Sequence, residues 1–214
     1  MPTVDPGTTA RQRLVTVTAL LALIGALTGC STGGTTQDQR SDTYRGHIAT
    51  VVVELDDRGG SQIGTTSAAV GIRIAGADRE GVQMDRTLEH TDGDEPEETV
   101  DQRGDTLTLT VKCPDGFTIG TAVCRASYEI QVPYGTAVAA KSDNGNLTVE
   151  DTRGRTDLHS SDGDVTVVAP GGFRYSVKAS SPYGTTKVDV PQHVDGVQIR
   201  AVSDNGDVTV RPSP

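Results

Sequence analysis

Aromatic residues are scarce in this sequence, which has no tryptophan, two phenylalanines and five tyrosines among its 214 positions. Leucine is also scarce, at 11 residues, which excludes the leucine-rich patterns of helical bundles and coiled coils. Valine and threonine together supply 54 residues, and 25 glycines interrupt them. Because β-branched residues favour strands and glycine permits tight turns, the composition predicts an all-β fold.

Clusters of basic residues are also missing. Nineteen lysines and arginines stand against 29 aspartates and glutamates, giving a formal net charge of −10. Nucleic-acid binding depends on basic side chains that displace the counterions of phosphates. The sequence therefore argues against a nucleic-acid partner.

No apolar run is long enough to span a membrane comfortably. The longest candidate is the stretch 14–27, which follows two arginines and has the pattern of an export signal. It ends in Leu-Thr-Gly-Cys at 27–30, which resembles the lipobox of bacterial lipoproteins. The resemblance implies that 1–29 is a signal peptide and that Cys30 becomes a fatty-acylated N-terminus on the extracytoplasmic face of the cell membrane. An uncleaved anchor helix and an ordinary secretory signal are the alternatives.

The rest of the chain divides into a polar segment and a folded part. Residues 30–46 have no apolar periodicity and are predicted to be a lipidated flexible tether. Residues 47–214 are predicted to form one all-β domain. Within 48–133, apolar residues alternate with polar ones, as in Val51, Val53 and Leu55, which is typical of half-buried strands. We expect these strands to pair in antiparallel fashion.

Two cysteines remain after Cys30. Cys113 and Cys124 occupy inward positions of successive predicted strands. A hairpin would bring their side chains together, and outside the cytoplasm we expect a disulfide. Free buried thiols and a redox pair are the alternatives, whereas two cysteines without further ligands make a poor metal site.

Residues 134–211 contain regularly spaced turns. Glycines recur at intervals of nine residues from Gly145 to Gly172. Short strands between such turns must stack to bury a face, so we favour stacked, β-solenoid-like coils. An antiparallel β-sandwich or meander is the alternative, since Asn-Gly also closes hairpins. Three segments are near copies, each a glycine turn followed by an apolar residue, threonine and valine: 142–149, 161–167 and 203–210.

These segments, of the form Ser-x-Asn/Asp-Gly-Asp-Val-Thr-Val, resemble the bacterial "putative adhesin" β-strand-repeat family, a domain of unknown function. The Val-Pro-x-Gly step at 132–135 matches that family as well. The resemblance is clearest over 128–211. It implies strands and turns, and it carries over no active-site residue.

The sequence offers no catalytic motif, metal motif or cofactor motif. His47, His90, His159 and His193 have no ligand spacing and are interpreted as surface or turn residues. The Asp-Asn-Gly turns lack the known calcium-binding spacings and are interpreted as turn residues. The acidic segment 91–98 is interpreted as a solvated loop.

The sequence therefore predicts a membrane-anchored, non-enzymatic binding or scaffolding lipoprotein of the cell envelope. Its expected partners are the membrane, through Cys30, and an envelope protein or glycan. A cation- or small-molecule-binding protein and an accessory component of an envelope-stress regulatory system are the alternatives. An enzyme acting on envelope glycans is a more distant one.

Overall fold

The computed structural model describes residues 35–56, 67–91, 95–113 and 123–214. The predicted signal peptide and Cys30 lie outside these ranges. Within them the chain forms fifteen strands and no helix, which confirms the all-β class. A helix long and apolar enough to cross a membrane is accordingly not found in the described part of the chain.

The strands contain between three and eleven residues each. In chain order they are β1 (Thr35–Tyr44), β2 (Thr50–Asp56), β3 (Ser67–Ala77), β4 (Val82–Thr91), β5 (Glu97–Arg103), β6 (Thr106–Lys112), β7 (Val123–Pro133), β8 (Ala137–Ser142), β9 (Asn146–Glu150), β10 (Thr156–Ser160), β11 (Val165–Ala169), β12 (Tyr175–Ser180), β13 (Thr186–Val188), β14 (Val197–Ser203) and β15 (Val208–Pro212).

The strands form two sheets that share one core. Sheet A has eight strands in the order β1-β4-β7-β3-β9-β11-β15-β13, and sheet B has seven in the order β12-β14-β10-β8-β2-β6-β5. Inward side chains alternate with outward ones, so that Val53 and Leu109 of sheet B meet the same core as Ile74 and Val149 of sheet A. Burial of these apolar side chains is the main force holding the sheets together.

Six pairs of consecutive strands each place one strand in sheet B and the next in sheet A; we call such a pair a coil. The coils are β2–β3, β6–β7, β8–β9, β10–β11, β12–β13 and β14–β15. Neighbouring coils pair in parallel, for example β11 with β9 and β10 with β8. Their order in space differs from their order in the chain, since β14–β15 lies between β10–β11 and β12–β13.

Antiparallel pairing, which we expected throughout 48–133, is limited among the described strands to β1 with β4, β4 with β7, and β5 with β6. β2 pairs with β6, and β3 with β7, in parallel. The expectation was wrong for these strands because alternation shows which side chains are buried but not the direction of the neighbouring strand. The Asn-Gly turns likewise connect the two sheets and do not close hairpins.

Part of the predicted tether is a strand. Residues 35–44 form β1 at the edge of sheet A and pair with β4 over ten consecutive positions. Most of the β1 side chains are exposed and polar, so main-chain pairing forms this strand without an apolar pattern in the sequence. The tether prediction is therefore wrong for 35–44, and residues 30–34 lie outside the described ranges.

Cys113 and Cys124 form a disulfide with a Cα–Cα distance of 6.1 Å, which confirms the predicted bridge. The expected hairpin is absent, because β6 lies in sheet B and β7 lies in sheet A. Cys113 follows β6 and Cys124 belongs to β7, so the bridge links the two sheets at one side of the core.

Replacing both cysteines by alanine is expected to lower the free energy of unfolding by about 2–3 kcal/mol, because the bridge restricts the unfolded chain. Urea denaturation with and without reductant measures this difference. The double alanine variant is the control, since reductant should leave its midpoint unchanged. A wild-type midpoint that is also insensitive to reductant would contradict the prediction.

Candidate functional site

Four turns that carry the chain from sheet B to sheet A stack along one side of the molecule, which we call the serine–glycine edge. Each turn begins with serine and ends with glycine, and the turns are 142–145, 160–163, 181–184 and 203–206. Each serine hydroxyl accepts a hydrogen bond from the backbone N–H of its glycine, at 2.6–2.9 Å. Ser160, Ser181 and Ser203 also donate to a glycine carbonyl of the adjacent coil, at 2.6–2.9 Å.

Glycine is required at this edge because the backbones of adjacent turns almost touch. A Cβ atom on Gly163 would lie 2.2 Å from the carbonyl oxygen of Gly145. One on Gly206 would lie 2.4 Å from the carbonyl oxygen of Gly163. Both distances are too short for any side chain, so glycine at 163 and at 206 is required by the close contact of stacked turns.

The residue after each glycine links one coil to the next. Asn146 Oδ1 accepts a hydrogen bond from the backbone N–H of Asp164, and Asp164 Oδ1 accepts one from Asp207, both at 2.8 Å. Asp207 Oδ1 accepts from the N–H of Thr185 at 2.7 Å. Thr185 itself precedes β13, which is the edge strand of sheet A, so among the described strands there is no further coil for its side chain to link. These side chains thus act in the turns, and the described residues hold no cluster of three or more His, Cys, Asp or Glu arranged for a metal.

A buried group of charges lies where β1, β4 and β5 end the stack. Arg86 of sheet A has a side chain only 6% exposed and forms ion pairs with Glu98 of sheet B and, at 3.1 Å, with Asp42. The hydroxyl of Tyr128 donates to Glu98 Oε2 at 3.1 Å. Burial, and secondly the charge of Glu98, raise the pKa of Tyr128 well above its ordinary value. Glu98, which we interpreted as part of a solvated acidic loop, instead joins the two sheets.

The histidines do not come together. His47 and His193 are exposed, and His159 is half-buried with its Nε2 atom 3.4 Å from Asp204 Oδ2. His90 is only 5% exposed, with its Nε2 atom 3.4 Å from Asp38 Oδ2 of β1. The interpretation as a surface or turn residue was therefore wrong for His90, which lies at a buried position of β4.

The outer face of sheet A is polar and extends across all eight strands. A shallow depression of about 500 Å³ lies over β1, β4 and β7. Parallel and antiparallel registers align one residue of every strand in a single row, which we call the outer row: Ser41, Asp85, Glu129, Arg73, Thr148, Thr166, Thr209 and Lys187.

At the side opposite the serine–glycine edge, the guanidinium of Arg153 lies over two aromatic rings. Its guanidinium carbon is 4.1 Å from the centre of the Tyr134 ring and 5.7 Å from that of the Phe173 ring. We call these three residues the arginine stack. They come from three turns that return the chain from sheet A to sheet B: 134–136, 151–155 and 170–174.

The backbone around the arginine stack is held firmly. The N–H of Arg153 donates to the carbonyl of Tyr134 at 2.6 Å. A Cβ atom on Gly154 would lie 2.2 Å from the carbonyl oxygen of Thr136, so the two turns are in direct contact. On the other side, the hydroxyl of the buried Tyr175 donates to the carbonyl of Pro170 at 2.5 Å. Sequence reasoning missed this site because its three residues are far apart in the chain.

Comparison with known proteins gives a fold but no family. No protein-family model and no curated protein matches this chain. A crystal structure from Clostridium sporogenes, described as a "putative cell adhesion protein", matches with a TM-score of 0.53 at 8% identity, covering 83% of this chain and all of that one. At this identity the likeness shows the shared fold alone.

Two further solved structures are more distant. A "putative adhesin" from Parabacteroides distasonis matches at 10% identity with a TM-score of 0.30, covering 82% of this chain and 70% of that one. Another from Parabacteroides merdae matches at 12% identity with a TM-score of 0.32, covering 85% of this chain and 82% of that one. These scores are too low to support any argument.

Replacing Ser160 by alanine is expected to lower the free energy of unfolding by about 2 kcal/mol. The side chain is fully buried, and its loss leaves the N–H of Gly163 and the carbonyl of Gly145 without this partner. Ser161→Ala is the matched control at the adjacent, half-buried position. Urea denaturation compares the two variants, and equal midpoints would contradict the role given to the Ser160 hydroxyl.

Alkaline pH is expected to destabilise the protein through Tyr128. The unfolded chain loses the phenol proton near pH 10, whereas the raised pKa keeps Tyr128 protonated in the native state. The free energy of unfolding therefore falls by about 1.4 kcal/mol per pH unit above that pH on account of this group. Tyr128→Phe should remove this part of the decline, although it is less stable at neutral pH because the hydrogen bond to Glu98 is lost.

Denaturant titrations between pH 9 and pH 11.5 measure the decline for each variant. Tyr183→Phe is the control, since this tyrosine is 82% exposed. If Tyr128→Phe and Tyr183→Phe declined with the same slope as the wild type, buried Tyr128 would not contribute.

Proposed function

We propose that this protein is a lipid-anchored, non-enzymatic binding or scaffolding module of the cell envelope. The observation that carries the proposal is the outer row, which presents polar side chains in register across eight strands. Stacked-strand scaffolds commonly bind extended partners along such continuous surfaces. The description of the Clostridium sporogenes structure as a "putative cell adhesion protein" points in the same direction.

The proposed anchor is the thioether of Cys30, for which the Leu-Thr-Gly-Cys motif is the support. Two or more acyl chains give stable attachment to a membrane, whereas one chain is marginal. Only residues 31–34 separate Cys30 from β1, and this length of chain reaches about 18 Å when fully extended. An anchor at Cys30 would therefore hold the start of β1 close to the membrane surface.

This short connection also orients the proposed module. β1 begins opposite Thr91, on the side of sheet A where β9, β11 and β15 begin. That side is the serine–glycine edge, and the arginine stack lies on the other side. In the proposed arrangement the serine–glycine edge is the one nearer the lipid, and the arginine stack faces outward.

Purification of the native protein from detergent-solubilised envelope tests both parts of the proposal. Mass spectrometry is expected to find a mature chain that begins at Cys30 and carries a diacylglyceryl group. An envelope protein or glycan should be enriched with it, and Thr166→Arg in the outer row should reduce that enrichment. Thr108→Arg, at a half-buried position on the outer face of sheet B, is the control.

An intact leader with an unmodified Cys30 thiol would contradict the anchor. Enrichment of no protein or glycan in repeated experiments would contradict the binding function. Equal enrichment with Thr166→Arg and Thr108→Arg would show that the outer row is not the contact surface.

A further inference from the structure

We propose that the arginine stack binds an anionic sugar, in which the guanidinium of Arg153 pairs with a carboxylate or phosphate group and the aromatic rings contact the sugar ring. The inference rests on the proposed binding function and specifies the class of ligand. It depends on three observations: the charge around Arg153, the way its side chain is held, and the position of the two rings.

The turns around Arg153 carry more positive than negative charge, although the chain as a whole is acidic. The protein has a formal net charge of −10, yet Arg153 and Arg174 form no ion pair with any of the described residues. The turns 134–136, 151–155 and 170–174 contain three arginines and a single aspartate, Asp151. Five of the seven arginines in the described strands pair with a carboxylate, as Arg73 does with Glu150 at 2.6 Å. An exposed arginine without a carboxylate partner is suited to an anion that comes from outside the chain.

The arginine stack holds Arg153 in a way that keeps its hydrogen-bond donors free. The guanidinium carbon lies over the Tyr134 ring at 4.1 Å and over the more distant Phe173 ring at 5.7 Å, while the N–H groups of a guanidinium point outward in its own plane. A guanidinium that stacks on an aromatic ring can present its planar fork for a bidentate contact with a carboxylate or phosphate. The direct hydrogen bond between the backbones of Arg153 and Tyr134 fixes the position further. Such preorganisation lowers the entropy cost of binding.

The two rings explain why the anion should belong to a sugar. The sequence has only seven Phe and Tyr residues, and two of them form this stack. Phe173 is 37% exposed, so part of its ring is open to solvent. Aromatic faces offer flat apolar surface to the C–H groups of a sugar ring, which a simple anion or a flexible acidic side chain does not have. The combination of ring and cation therefore favours a sugar that carries an acidic group.

Isothermal titration calorimetry with defined probes tests the inference. Oligogalacturonate supplies a carboxylate on a sugar, a sugar phosphate oligomer supplies a phosphate, dextran supplies neutral sugar, and poly-glutamate supplies carboxylates without sugar. The wild type is expected to bind at least one of the two anionic sugars, more weakly at high salt. Dextran and poly-glutamate should bind at least tenfold more weakly. The stronger of the two anionic sugars identifies the acidic group.

Variants of Arg153 locate the site. Arg153→Gln is expected to weaken binding of the anionic sugar at least tenfold, because the charged hydrogen bonds are lost. Arg153→Lys keeps the charge but not the planar fork, so it should also bind more weakly than the wild type. Arg103→Gln is the matched control, since Arg103 is 88% exposed and paired with Asp101 in β5. Thermal melting confirms that each variant is folded.

Binding by a folded Arg153→Gln with wild-type affinity would overturn the inference, as would failure of the wild type to bind either anionic sugar. If poly-glutamate bound as tightly as the anionic sugars, the sugar ring would not be recognised. If dextran bound as tightly, the acidic group would not be recognised. The two proposals can be distinguished. An envelope partner whose enrichment is unaffected by Arg153→Gln would support the proposed function while overturning this site.

Discussion

The contact of backbone against backbone at the serine–glycine edge is the constraint on which the stack depends. The hypothetical Cβ of Gly163 lies 2.2 Å from the Gly145 carbonyl, so the coils could not approach this closely with any larger residue. The serine hydroxyls then satisfy buried N–H and carbonyl groups that the tight turns would leave unpaired. This contact allows the four coils from β8 to β15 to pair at the ordinary spacing of hydrogen-bonded strands.

The two sides of the stack serve different purposes. Along the serine–glycine edge, polar side chains form hydrogen bonds within the turns and between neighbouring coils. On the other side, the arginine stack leaves donor groups that no described residue uses. Both features arise from the stacking of turns. Of these two sides, the one with the arginine stack has hydrogen-bond donors available for a ligand.

The all-β class and the Cys113–Cys124 bridge could be predicted from the sequence because alternation and cysteine position are local signals. β1 could not, since its pairing with β4 depends on backbone groups and its side chains show no pattern. A fourth serine–glycine turn, Ser181 to Gly184, escaped notice because Thr185 stands where the other copies have Asn or Asp. The arginine stack is formed by residues from three turns, and their spacing in the sequence does not predict that they meet.

The insertion of β14–β15 between two earlier coils has a consequence for assembly of the fold. A chain whose coils stacked in sequence order could add each coil to the end of the stack. Here β14–β15 instead lies between β10–β11 and β12–β13, which both precede it in the chain. Among the described strands, β12–β13 pairs only with β14–β15, so it has no strand to pair with until β14–β15 has been synthesised. Detachment of β14–β15 would therefore also release β12–β13 from the sheets, so that two layers would be lost together.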